Sequence, residues 1–397
     1  MTEYSADRDA LNNLLATNPD TVQIRAASAF DDRSGGRPVI LCGAGGLGRR
    51  ALAGMRAYGT EPIAFVDNSA SRQGTMVDGI PILAPVDAAR AYGRTAVFVV
   101  TIWGAGSPHR FSHSQEQLHA LGCDCVLPFP LLFWKYPRTT LPYYLQDEPH
   151  HVVEQAAAVR AGFDLWEDAA SRGEYLSQVR FRLLSDFDGL AHPVGHAQYF
   201  PADLYAWRDD ESIIDGGAFD GDTIRSLIAE HGGRFQSVLA CEPDPNNYVK
   251  LEAMIADLPP VLRAKISCRQ IALASSRGVL HLDATGTAAS ATQPVSGPET
   301  ITVMAESLDT LVNDMRPTML KLDIEGAEHD ALLGARRIIA ESAPVLAICV
   351  YHRQDHLWTI PLLLRAYRDD YALFLRPHNE EGFDLICYAV PRHRLLA

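Results

Sequence analysis

The stretch SIIDGGAFDGD, Ser212 to Asp222, decides the fold. A short apolar run ends on an acid, Asp215, falls into a glycine-rich turn and leads into DTIRSLIAEHG, whose apolar residues recur at helical spacing. Strand, glycine turn and helix form the first unit of a doubly wound α/β sheet, which binds ligands beyond the C-terminal ends of its strands. The same alternation continues with strand SVLACEP, helix NNYVKLEAMIAD and strand ISCRQIALAS. A short strand, GVLHLDA, and a loop rich in Thr, Ala and Ser lead to ETITVMAESLDTLV; strand TMLKLDIEG, helix HDALLGARRIIAE, strand VLAICVYH and helix IPLLLRAYRD follow. The chain closes on YALFLRPHNEEGFDLICYAVP, two apolar runs about a polar turn, which predicts an antiparallel hairpin at the edge of an otherwise parallel sheet.

A second α/β pattern lies upstream. Strand PVILCG, helix GRRALAGMRAYG, strand EPIAFVDN, helix PVDAARAYG and strand TAVFVVTI alternate as a parallel sheet requires, and LGCDCVLPF adds one more short strand. Ahead of it stand an amphipathic helix, ADRDALNNLLATN, and a polar, turn-rich stretch, FDDRSGGRP. The aromatic, proline-rich PLLFWKYPRTTLPYYLQDEPHH reads as a packed connector with helices after it, the pair His150-His151 being a helix start. Four segments result: residues 1–36, a helix and turn; 37–129, a Rossmann-like domain; 130–205, the connector; and 206–397, the second doubly wound domain.

Bulk properties narrow the function. A chain of 397 residues is too long for one typical domain. With 47% hydrophobic and 21% charged residues it has the composition of a soluble globular protein. A net charge of −14, with no Lys/Arg cluster, argues against a nucleic-acid partner. No apolar run reaches the length needed to cross a bilayer, and the polar, acidic N-terminus is unlike a secretory signal, so a cytoplasmic protein without a membrane partner is expected. Seven cysteines with no C-x-x-C pair read as free thiols, and oligomeric state is left open.

The two glycine turns differ in their spacing. Gly43, Gly45 and Gly48 fit G-x-G-x-x-G, and Asp67 ends the next strand about 20 residues on, the arrangement that holds a dinucleotide. The competing reading is a tight turn that binds nothing; TIWGAGSPH, after the third strand, offers no catalytic set. In the later turn Gly217 and Gly221 are spaced G-x-x-x-G around Ala218, so a close pyrophosphate approach is not specified. Glu242, followed by Pro243, ends the next strand where a carboxylate can accept both ribose hydroxyls of an adenosine. A wide loop without a phosphate grip suits S-adenosylmethionine; the alternative leaves Asp215 and Glu242 as solvated strand ends.

Four stretches, QYFPADLYAWRDDESIIDGGAFDGDT, LACEPDPNNYVKLEAMI, LKLDIEGAEHDALLGA and VYHRQDHLWTIP, together resemble FkbM-type S-adenosylmethionine-dependent methyltransferases, from about Tyr199 to Val390. The resemblance implies a class I methyltransferase fold, to which the terminal hairpin belongs, and a backbone contact with adenine at Ala272. Through GAGGLG, FVDN and GIPILAP the upstream block resembles Rossmann-like nucleotide-binding domains fused to sugar-modifying enzymes.

Methyl transfer to a hydroxyl needs the acceptor oxygen held in line and its proton removed. Asp323 ends the fourth strand, next to the first, and is expected to face the methyl group; Glu325, two residues on, shares its side if the strand continues. His352 ends the fifth strand. The three could be a base with its orienting partners, or the ligands of a divalent cation that acidifies the acceptor. Glu325 could equally be a helix-start carboxylate. Lys321 is expected to be packed or paired, Asp222 to be a helix N-cap, and Tyr199 and Phe200 to cover the cofactor or pack. The expected reaction is O-methylation of a sugar or another small hydroxylated metabolite. The acceptor pocket is expected to draw on the loop after HLDATGTAAS, the connector and the N-terminal domain. The rivals are an NAD-dependent oxidoreductase using GAGGLG and a non-catalytic nucleotide-binding protein.

Overall fold

The apolar runs become strands of two main sheets in the computed structural model, which describes residues 3–104, 109–283, 300–312 and 315–396. The first sheet holds β1 (Val39–Cys42), β2 (Ala64–Val66), β3 (Met76–Val77), β4 (Ile80–Leu83), β5 (Val97–Val100) and β6 (Val126–Pro128), in the order β3-β4-β2-β1-β5-β6. All its pairings are parallel except β3 with β4. That hairpin, unread in the sequence, turns on Asp78-Gly79, both at positive φ, the Asp-Gly signal of a tight hairpin. β1 and β5 are buried along their whole length, as central parallel strands must be.

The second sheet holds β7 (Ser212–Gly216), β8 (Ser237–Cys241), β9 (Ile266–Arg269), β13 (Met319–Leu322), β14 (Val345–Cys349), β15 (Tyr371–Pro377) and β16 (Leu385–Pro391), in the order β15-β16-β14-β13-β7-β8-β9. β16 runs antiparallel to both neighbours, as the closing hairpin predicts. Three further strands, β10 (Ala272–Leu273), β11 (Gly278–Asp283) and β12 (Thr300–Glu306), make a small separate sheet. ISCRQIALAS is therefore two strands in two sheets and not one. The expected doubly wound α/β architecture stands in both halves.

Residues before β1 also depart from expectation. FDDRS is not a turn: it ends a 16-residue helix, Pro19–Ser34, capped by Asn18 at its start and by Gly35 in the left-handed conformation at its end. The stretch has the look of a turn because Asp31, Asp32 and Arg33 are exposed; only Ala26, Phe30 and Ser34 of this helix are buried.

Contacts between the two halves run through aromatic residues. Trp103, just after β5, packs 4.4 Å from Phe383 in the terminal hairpin and donates Nε1–H to the Glu381 carbonyl at 3.2 Å. Phe111 N–H donates to the Glu381 carboxylate, and Arg110 pairs with Glu380 at 2.9 Å. Arg50, from the helix after the first glycine turn, donates to the carbonyls of Thr140 and Pro142 at 2.7 and 2.9 Å, fixing the connector segment that presents Tyr144. The C-terminal ends of β5 and β14 thus share one aromatic layer. All seven cysteines are free. Among the described residues no helix is long and apolar enough to cross a membrane.

Candidate active site

β7 and β13 are adjacent and parallel, with Asp215 opposite Lys321, so the loops that leave them emerge side by side. Gly217, at φ +75°, makes this closeness possible: a Cβ there would sit 1.8 Å from the Asp323 carbonyl oxygen. Asp215 is 1% exposed. Lys321 Nζ lies 3.0 Å from its Oδ1 and donates to the Gly217 carbonyl at 2.6 Å. Oδ2 has no hydrogen-bond partner among the described residues. Burial pushes Asp215 up to about 6 against the pull of Lys321, while Lys321 is held above its ordinary value, because the facing Asp215 and Asp323 outweigh its own burial.

Around this centre the loop after β7 is tightly folded. Ala218 is fully buried and its N–H donates to the Cys241 carbonyl at 3.1 Å. Gly221, at φ +89°, caps the helix Asp222–His231, so Asp222 is its first residue and not its cap. Glu242 follows β8, and its two oxygens accept from Phe219 N–H and Asp244 N–H at 2.8 and 2.9 Å. Burial raises it to about 7, with those two donors opposing. Each carboxylate oxygen keeps a further lone pair for a ligand hydroxyl. Pro243 follows and is half-buried. Ala272 is buried in β10, and its neighbour Leu273 reaches back to Gly216 at the end of β7.

The structure brings Asp323, Glu325 and His352 together. His352 Nε2 lies 3.3 Å from Asp323 Oδ1 and 3.6 Å from Glu325 Oε2. The route to this placement is not strand alternation: β13 ends at Leu322, and Glu325 sits in a turn at φ +56°. A left-handed residue there swings the carboxylate toward β14.

Glu328, unread as a site residue, is fully buried at the start of the helix Glu328–Leu333. It is the helix-start carboxylate that Glu325 is not. Its Oε1 lies 2.7 Å from His352 Nδ1 and accepts from Ile324 N–H at 2.8 Å, while His356 Nδ1 lies 3.2 Å from Oε2. Burial raises Glu328, but the facing histidines override this and hold it well below the usual carboxylate range. Burial lowers His352, yet Glu328 and Glu325 push it up to about 10. Burial, with Asp323 and Glu328 close by, raises Glu325 to about 8 although His352 opposes.

Three tyrosines line this cluster. Tyr199 donates to Asp323 Oδ2 at 2.7 Å, and Lys321 Nζ stands 5.2 Å from its ring centroid. Phe200 is buried and packs against Trp207. Tyr351 donates to Asp323 Oδ1 at 3.4 Å. Tyr144, from the connector, lies nearly parallel to Tyr351 at 6.4 Å and 6.2 Å from His352. Sequence gave a signal for Tyr351, which precedes His352, but none for Tyr144, which is remote in the chain. The Thr/Ala/Ser-rich loop expected to line the acceptor pocket, residues 284–299, lies outside the described residues.

The first glycine turn lies in the other sheet. Gly48 is packed so closely that a Cβ would meet the Gly43 carbonyl oxygen at 2.0 Å; Gly45 faces open space. Asp67 accepts from Ala44 N–H at 3.2 Å, Ser69 N–H at 2.8 Å and Arg72 at 3.0 Å. Burial opposes but does not outweigh these donors, and its pKa falls below the ordinary value.

A seven-stranded sheet with one antiparallel strand, a glycine turn after its interior strand β7 and acids at successive strand ends is the architecture of a methyltransferase. Comparison with known proteins agrees and names the family. Residues 215–382 match the family model of the methyltransferase FkbM domain. The crystal structure of a methyltransferase FkbM from Methylobacillus flagellatus KT superposes with a TM-score of 0.75 at 24% identity, over 97% of this chain and 98% of its own. At that identity the likeness is one of fold, and it extends through both sheets. The methyltransferase domain of bacterial CtHen1 matches at a TM-score of 0.29 and 12% identity, over 46% of this chain and 91% of its own, too loosely to carry an argument. No curated protein matches the chain.

Proposed function

We propose that this chain is an S-adenosylmethionine-dependent methyltransferase acting on a hydroxyl of a sugar or another small hydroxylated metabolite. The observation that carries the reading is Asp215: a fully buried carboxylate at the mouth of the glycine turn, with one oxygen unpartnered among the described residues. Buried polar groups are nearly always paired, so such an oxygen marks a place for a ligand donor. The ammonium of the cofactor's methionine part supplies one. Glu242 accepts the ribose hydroxyls, and the backbone around Ala272 borders the adenine.

Transfer breaks the S–CH3 bond and forms O–CH3; the cofactor leaves as a neutral thioether and the acceptor's proton departs. Asp323 stands beside Gly217, where the methyl group emerges, and the Asp323–Glu325–His352 cluster receives the hydroxyl. The faces of Tyr144 and Tyr351 offer apolar walls to a sugar ring. The connector and the N-terminal half thereby contribute to acceptor binding.

Calorimetric titration with S-adenosylmethionine and with NAD, on wild type, Glu242→Ala and Asp67→Ala, tests the reading. Binding of S-adenosylmethionine that only Glu242→Ala removes is the expected result. NAD binding through Asp67 with no S-adenosylmethionine binding would shift the chemistry to the first turn and sink the proposal. Binding without transfer to any hydroxylated acceptor would favour a non-catalytic role.

A further inference from the structure

Three carboxylates, fully buried Glu328 and the half-buried Asp323 and Glu325, crowd around one imidazole. His352 is 7% exposed, and its two ring nitrogens are treated differently. Nδ1 is fixed at 2.7 Å from Glu328, whose Oε1 is itself held by the Ile324 and Gly326 N–H groups. Nε2 faces Asp323 and Glu325 at 3.3 and 3.6 Å, yet forms a hydrogen bond to neither among the described residues. A buried carboxylate on one nitrogen, and a second nitrogen that converges with two more carboxylates without a hydrogen bond among the described residues, is the arrangement of a metal-bound histidine braced from behind.

We propose that Asp323, Glu325 and His352 Nε2 bind a hard divalent cation, Mg2+ or Mn2+, onto which the acceptor hydroxyl is docked. Asp323, Glu328 and His352 also place ligand atoms within 4.8 Å of one another. Glu328 is the brace and not a ligand, because it is fully buried and already holds His352, Ile324 and Gly326. Oxygen-dominated ligands with one imidazole suit Mg2+ and Mn2+ better than softer ions. Tyr199 and Tyr351, both donating to Asp323, orient its carboxylate. A cation here lowers the pKa of the bound hydroxyl, so that its proton leaves to solvent as the O–CH3 bond forms. It also sharpens the acceptor class: a hydroxyl with a second oxygen on the neighbouring carbon can chelate the ion, whereas an isolated hydroxyl cannot. This inference rests on the methyltransferase reading above.

The test is Mn2+ titration of the chelator-treated full chain, followed by loss of the free-ion electron paramagnetic resonance signal. It is run on wild type, Glu325→Gln, His352→Gln and His150→Ala, with S-adenosylmethionine affinity measured on each. His150→Ala controls for the other metal-capable trio among the described residues, Glu148, His150 and His151. One Mn2+ per wild-type chain is expected, weakened about tenfold or more by Glu325→Gln and by His352→Gln and unchanged by His150→Ala, with cofactor affinity retained throughout. Wild type that binds S-adenosylmethionine but no Mn2+ overturns the cation and leaves the methyltransferase standing. Mn2+ bound equally by all variants, or lost only in His150→Ala, places the ion elsewhere and also overturns it. Failure to bind S-adenosylmethionine at all defeats the underlying reading instead.

Discussion

Both glycine turns follow a buried strand and open a helix, but they spend their polar groups differently. In the first, Asp67 is consumed by Ala44, Ser69 and Arg72, and Thr101 closes onto the carbonyls of Cys42 and Gly43 at 3.0 Å each. In the second, Asp215 keeps, in full burial, an oxygen with no hydrogen-bond partner among the described residues. A turn that satisfies itself is stable as it stands. A turn that leaves buried groups unpaired has traded stability for a ligand, which is how functional sites depart from local consistency.

The largest effect that could break this contrast is at Lys321. Lys321→Met leaves Asp215 as an uncompensated buried charge and is expected to cost about 3–5 kcal/mol in denaturant unfolding. The corresponding cation of the first turn, Arg72, is half exposed, and Arg72→Met should cost about 1 kcal/mol or less. Equal losses would mean that the second turn carries no special strain. Next in size is Glu242→Ala, which removes the carboxylate proposed to hold the ribose and should weaken S-adenosylmethionine by about 3 kcal/mol, roughly a hundredfold. Asp67→Ala should leave that affinity unchanged in the same calorimetric series.

The two acids also predict opposite pH behaviour. Glu242 is raised to about 7 by burial. Its contribution to stability is greatest below its unfolded value and is lost as pH rises through about 7. Cofactor affinity, which needs the carboxylate, moves the other way and should fall by up to about tenfold per unit below pH 7. A Glu242→Gln variant should bind more weakly and without this slope. Asp67 is depressed, so its contribution is present at neutral pH and lost only as pH falls below the ordinary carboxylate value. A melting series across pH, with and without cofactor, separates the two; an affinity that ignores pH between 6 and 8 would remove Glu242 from the ribose.

How much of this was legible follows from what each signal depends on. The strand–turn–helix units, the closing hairpin and the acids at strand ends are local patterns, and Asp215, Glu242, Asp323 and His352 could be placed at strand ends from them. The β3–β4 hairpin carries a local Asp-Gly signal, Asp78-Gly79. Glu325 was placed by alternation along a strand that in fact stops at Leu322; the positive φ that turns its carboxylate inward leaves no mark when the residue is not glycine. Glu328 looks in sequence like an ordinary first-turn acid, because the side chains that enclose it, His352 and His356, are more than 20 residues away in the chain. Tyr144 reaches the site only through the connector's path, held by Arg50 at a distance no local pattern encodes.

The smallest predicted effect is the one that decides whether the first turn is empty. Gly45 has a negative φ and nothing within 4 Å of where a Cβ would stand. Gly45→Ala is therefore sterically free in the protein alone and should cost no more than about 1 kcal/mol, the usual difference at a helix N-cap. A bound pyrophosphate would change that, because its oxygens approach the backbone at this glycine and a methyl group would displace them. If nucleotide affinity falls at least tenfold while the melting midpoint barely moves, the open face at Gly45 is a ligand surface, and the first turn is a site despite its self-satisfied Asp67. If neither wild type nor variant binds NAD or a sugar nucleotide, Gly43 and Gly48 are there for the close packing of helix on strand, and the turn's resemblance to a nucleotide site is one of construction alone.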